Sequence, residues 1–189
     1  DDDVSNEAFP YLTAREMHVG RAPVVAQRVS WVGELGWELW TEPGWAVTVW
    51  DRLFEEGRPY GVEPCGYRTL DGLRLERGYR AFGTDLTAAD TPDTAGLSFC
   101  VDTSKAFVGR EAILSDREAE PSTRLRTLLV GGEGYVPIYG GEAVHDGRDV
   151  VGRVRSCAFG FTVRRNVALA SLPFAFGPGS ALAVEVFGE

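Results

Sequence analysis

Residues 28–40 read Arg-Val-Ser-Trp-Val-Gly-Glu-Leu-Gly-Trp-Glu-Leu-Trp, which sets Glu34 and Glu38 in a short Gly-bounded hairpin among Trp31, Trp37 and Trp40. An acidic side chain in aromatic surroundings is costly unless something hydrogen-bonds it, so a flat, donor-rich heterocycle is a natural ligand. The other reading is a surface hairpin with apolar residues on one face.

The elements that must position these carboxylates are legible from periodicity. Residues 24–32 are β-branched and roughly alternating, which predicts a strand. Residues 33–36 make a tight turn, and 37–40 return as a second strand. Period-2 alternation puts Glu38 and Trp40 on one face and Trp37 and Leu39 on the other. A helix follows, capped by Thr41, with Pro43 in its first turn, Trp45, Val49, Trp50, Leu53 and Phe54 at helical spacing, and Gly57 at its end. A second helix is expected over 66–77, ended by Gly78, with Asp71 and Arg74 spaced to pair. Residues 79–121 read as loop, closing in a solvated linker at 117–121. Beyond it, strands are expected at 125–130, 135–139, 150–155, 166–172 and 181–187, with Asp146-Gly147 as a hairpin turn. The fold class is therefore α+β: an antiparallel sheet with flanking helices over 1–115, followed by a small all-β barrel over 122–189.

Composition narrows the function. A net charge of −9 with no basic stripe argues against nucleic acid as a partner. No run approaches ~18 continuous apolar residues, so no membrane-spanning helix is expected. The 19 basic residues are 18 Arg and Lys105, a bias best read as that of a GC-rich genome. Cys65, Cys100 and Cys157 are odd in number and far apart, which predicts reduced thiols and a cytoplasmic protein. His18 and His145 lie near no cysteine, so no metal site is expected. The opening Asp1-Asp2-Asp3-Val4-Ser5-Asn6 reads like the interior of a longer protein.

A series of motifs carries a resemblance. Asn6-Glu7-Ala8-Phe9-Pro10, Val32-Gly33-Glu34-Leu35-Gly36-Trp37-Glu38-Leu39 and Leu73-Arg74-Leu75-Glu76-Arg77-Gly78-Tyr79-Arg80 come first. Gly83-Thr84-Asp85-Leu86-Thr87, Thr91-Pro92, Ala95-Gly96-Leu97, Phe107-Val108-Gly109-Arg110-Glu111 and Val151-Gly152-Arg153-Val154-Arg155-Ser156 follow in order. The chain resembles the folate-dependent aminomethyltransferase family, which includes the T protein of the glycine cleavage system and the C-terminal folate modules of dimethylglycine and sarcosine dehydrogenases. The Gly-Glu-Leu-Gly-Trp-Glu-Leu wording is nearer the dehydrogenase branch. The resemblance implies the C-terminal part of a tetrahydrofolate-dependent one-carbon transferase. The catalytic aspartate would lie upstream of Asp1, so no residue here is expected to be catalytic, and this chain alone would turn nothing over.

Four cofactor-binding positions follow from the same resemblance. Glu38 falls where the family holds the pterin; an ionised carboxylate accepts from the 2-amino group and the adjacent ring N–H together. Trp31 stands where relatives carry a tyrosine, keeping a stacking face without the phenol hydroxyl. Phe99 falls where the glycine cleavage enzyme has a pocket tryptophan. Arg126 matches an arginine near the folate, apt for the anionic benzoyl-glutamate tail. Leu70 replaces the T protein's arginine before the helix aspartate, with Arg68 two residues earlier, which fits the dehydrogenase branch. Glu34 is read as a turn residue, and Asp71, Arg74 and Glu76 as structural. The implied partners are folate, a small one-carbon donor (on a protein arm or as an N-methyl glycine) and the N-terminal remainder of the same protein. Two alternatives stay open: a folate module fused to a flavin-dependent amine dehydrogenase, and a folate-binding module without transferase chemistry.

Overall fold

The computed structural model describes residues 2–119, 122–132 and 134–188. The chain divides into two compact units, Asp1–Leu70 and Asp71–Glu189.

The first unit carries a three-stranded antiparallel sheet in the order β1 (Ala14–Val19), β2 (Ala22–Gln27), β3 (Glu38–Trp40). β1 is a strand that the apolar pattern did not announce: its residues Ala-Arg-Glu-Met-His-Val are mostly exposed, and tertiary pairing rather than alternation makes it a strand. β2 alternates buried and exposed, and Ala22, Val24 and Val49 form the core of the unit with Leu39 packed on it. The predicted strand 24–32 stops at Gln27, and the tight turn is instead the connection 28–37. β3 still returns antiparallel, with Gln27 opposite Glu38 and Val25 opposite Trp40.

Helix α1 spans Ala46–Gly57 after a 3-10 turn at Pro43–Trp45. Thr41 does not cap it; its hydroxyl donates to the Pro23 carbonyl at 2.7 Å. Gly57 does not end the helical run, which continues through a 3-10 turn at Arg58–Tyr60 and closes at Gly61, φ +73°. Gly57 is required for room, since a Cβ there would lie 2.5 Å from Val62 Cγ1.

Helix α2 covers Tyr67–Glu76 and ends at Gly78, φ +69°, as predicted. The Tyr79 N–H donates to the Arg74 carbonyl and the Gly78 N–H to that of Leu75, both at 2.9 Å, the paired bonds of a Schellman termination. The Asp71–Arg74 pair forms at 2.8 Å. A third helix, α3 (Arg110–Glu118), occupies part of the expected loop and linker, because Gly109 in the left-handed region starts it. Glu120 and Pro121 of that linker lie outside the described residues. No helix among the described residues is long and apolar enough to cross a membrane.

The rest of the second unit is a five-stranded antiparallel sheet, β4 (Thr123–Val130), β5 (Ala143–Asp146), β6 (Asp149–Gly160), β7 (Arg165–Pro173) and β8 (Ala183–Val184), in the order β4-β7-β6-β5-β8. Asp146 pairs with Asp149 around Gly147, φ +60°, the hairpin the sequence predicts. The strand expected at 135–139 is absent, and β5 takes its place one turn later. The last strand is shorter than expected, yet Leu182, Val184 and Val186 do pack on the core with Val144, Val154, Ala168 and Leu172.

Close strand approach explains one glycine. A Cβ on Gly152 would lie 2.2 Å from the Ser171 carbonyl oxygen and 2.7 Å from Leu172 Cδ2. Gly152→Ala should destabilise the protein by about 1–3 kcal/mol through overpacking, read as a lower urea midpoint with unchanged slope. Burial pushes the Cys157 thiol up to about 11, with Glu142 adding to the effect, while Cys65 and Cys100 are exposed.

Candidate functional site

In the first unit the candidate residues cluster on the 28–37 connection and the start of β3. Arg28 anchors the foot of this loop. It is 7% exposed, donates to the Phe9 carbonyl at 2.7 Å and to the Asn6 side chain, and stacks 5.1 Å from the Trp37 ring centre. The guanidinium thus fixes Trp37, and through it the backbone that presents Glu38. The Trp40 indole donates to Gln27 Oε1 at 3.1 Å, tying β3 to β2.

Glu38 itself is exposed, not enclosed as its aromatic neighbours suggested, and its carboxylate has no hydrogen-bond partner among the described residues. The reason is geometric. Leu39 takes the inward position on β3, so Glu38 and Trp40 face outward, the alternation that the sequence predicts. Trp31 is 43% exposed on the same connection. Two donors of the loop, Ser30 Oγ and Trp37 Nε1, are buried without a partner. A carboxylate free to accept has the chemistry to meet the paired N–H donors of a pterin edge, whereas Ser30 Oγ and Trp37 Nε1 are enclosed by the protein itself.

In the second unit β4 places Arg124, Arg126, Leu128 and Val130 on one face by period 2. Arg124 and Arg126 lie over one ring, Phe174, at 5.7 and 5.6 Å from its centre. They open on a cavity of about 720 Å³, which Arg80 and Arg165 also line and which no acidic side chain among the described residues borders. Arg80 is held by the Ala95 and Gly78 carbonyls at 3.0 and 2.6 Å. Burial, and then the Arg124 charge, pulls its pKa below the ordinary value. Arg126 Nε is buried without a partner. Guanidinium groups stacked on an aromatic ring suit a carboxylate-bearing ligand.

Phe99 is not part of this arrangement. It is 82% exposed on the 3-10 turn Ser98–Cys100 and does not line the cavity. Arg124 and Arg80 were not singled out in the sequence. The Arg-Leu-Arg spacing carried the signal for Arg124, whereas only the folded chain brings Arg80 to the same cavity.

Comparison with known proteins decides the family. Residues 1–105 match the GCVT N-terminal domain, and residues 124–189 match the glycine cleavage T-protein C-terminal barrel domain. The chain belongs to the glycine cleavage T-protein family. Mouse mitochondrial sarcosine dehydrogenase is 41% identical over 89% of this chain and 18% of its own length. An aminomethyltransferase of Shouchella clausii is 33% identical over 89% of this chain and 46% of its own length. The crystal structure of the glycine cleavage system aminomethyltransferase T from Bartonella henselae superposes with a TM-score of 0.82 at 28% identity, over 95% of this chain and 49% of that one. The T-protein fold is thus shared across nearly all of the chain, which spans less than half the length of each of these relatives.

Proposed function

We propose that this chain is the folate-holding module of a larger tetrahydrofolate-dependent one-carbon transferase. The observation that carries the reading is the exposed, unpartnered Glu38 carboxylate presented by β3, in a chain of the T-protein family. Tetrahydrofolate, when bound, supplies the nitrogen that accepts the one-carbon unit. Glu38 holds the amino and ring N–H edge of the pterin. Trp31 offers a stacking face beside it, and Phe99 is a second exposed aromatic surface. Arg126, with Arg124 and Arg80, receives the carboxylates of the tail. Placing the pterin accounts for much of the rate in such a transfer, because orientation replaces a bimolecular encounter. The proton on nitrogen is handled by a residue outside this chain.

The setting favoured is the C-terminal folate module of a flavin-dependent N-methyl amine dehydrogenase. Identity of 41% with mouse sarcosine dehydrogenase against 33% with the Shouchella aminomethyltransferase supports it, as does Leu70. The upstream domain would then release the one-carbon unit that this module captures.

Fluorescence titration with two ligands tests the division of labour. Arg126→Ala should weaken tetrahydrofolate binding by about 10–150-fold and leave 6-methyltetrahydropterin, which lacks the tail, unaffected. Equal loss for both ligands, or for neither, would remove Arg126 from the tail site.

A further inference from the structure

Beyond the folate reading, and independent of it, the sheet of the second unit contains an unfilled position for one more strand. β4 and β8 are the two ends of the strand order, so each has one edge that no strand of the sheet covers. The Leu125 N–H donates to the Thr94 carbonyl at 2.7 Å, on the side of β4 away from β7. Period 2 therefore turns the main-chain N–H and C=O of Thr127 and Leu129 to that same side. Among the described residues nothing pairs with them. This free edge faces the 720 Å³ cavity, which every residue from Arg124 to Gly131 lines. Leu182 and Val184, at β8, also line it, as do Leu172 and Phe176. A slot with apolar side chains along part of its lining and unpaired main-chain groups along one side is a template for strand addition.

We propose that the Thr127–Gly131 stretch of this slot binds an extended peptide strand, apolar at alternate residues and acidic at its end. Main-chain bonds to Thr127 and Leu129 give register. Apolar side chains enter between Leu128, Val130, Leu182 and Val184. Charge decides the polarity of the occupant: Arg165 stands at the Gly131 end, bonded to the Gly131 carbonyl at 3.0 and 2.6 Å, and no carboxylate borders the cavity. An acidic terminal residue complements it. The Arg80, Arg124 and Arg126 end lies beyond this stretch and stays open to the folate tail.

The test uses the 189-residue chain and a heptapeptide, acetyl-Glu-Val-Thr-Val-Thr-Val-Lys-amide, with fluorescein on the lysine amine, read by polarisation. Saturable binding is expected, weakened about tenfold or more by Leu129→Pro, which removes the free-edge N–H at a position where proline is tolerated in an edge strand. Circular dichroism checks that the variant is folded. If it is not, N-methylation of alternate peptide amides replaces it: one set of alternate positions should abolish binding and the other should leave it intact. No binding, binding indifferent to Leu129→Pro in a folded variant, or indifference to both methylation patterns overturns the proposal. So does a dimer by sedimentation that Leu129→Pro dissociates, because the occupant would then be a second copy of the chain.

Discussion

Glu38→Ala is expected to weaken tetrahydrofolate binding by about 30–150-fold, from the loss of roughly 2–3 kcal/mol of charge-assisted hydrogen bonding. The carboxylate stands alone on the outward face of β3, so truncation leaves no orphaned partner and the fold should be untouched. The change should therefore appear in the binding constant and not in the unfolding midpoint. Glu38→Gln should recover little, since an amide sets a donor against one of the two pterin donors. Glu34→Ala, four residues earlier, is the comparison. Equal effects from the two alanine variants, or none from either, would end the pterin assignment.

Asp85→Ala should cost about 3–5 kcal/mol of stability, the range for breaking a buried ion pair by removing one partner. Asp85 is 1% exposed and Arg74 is 2% exposed, and Arg74 Nη1 lies 2.6 Å from Asp85 Oδ2. The same carboxylate accepts from the Ala81 N–H at 2.8 Å and from the Ser156 hydroxyl, so it joins α2, the 79–86 loop and β6. Removing it leaves a buried guanidinium held only by Asp71 and the Tyr79 carbonyl. Urea unfolding measures the loss. The double variant Arg74→Met with Asp85→Leu should recover much of it, because the stranded charge is gone. A single variant as stable as the parent would show that the pair is solvated in solution.

The helices were legible because their signals are local. Pro43, the apolar spacing through Phe54 and the positive-φ Gly78 each act within one turn of chain. The Asp146-Gly147 hairpin was legible for the same reason. β1 was not, since its pattern burial is poor and only pairing with β2 makes it a strand. Glycines at 33 and 36 permit the tight turn that the sequence predicts over 33–36; the connection instead runs over 28–37, with Arg28 at its foot bonded to Phe9 and Asn6. That Glu38 shares a strand face with Trp40, opposite Leu39, followed from alternation alone. That it is exposed did not, because tryptophans nearby in sequence do not enclose it in space. Arg124 and Arg126 share a face by simple spacing. Their common seat on Phe174, and the approach of Arg80 from a distant loop, depend on long-range folding that no local signal encodes.

Glu76, the last residue of α2, accepts from the amides of Thr162 and Val163 at 2.8 and 3.0 Å, at the tip of the β6–β7 hairpin. That tip is exposed and would otherwise fray on its own. Bolted to a helix terminus, it loses independent motion: the hairpin can peel from its end only if the helix lets go. The longest pair of strands in the sheet is thereby made one cooperative piece with the helix that carries Arg74.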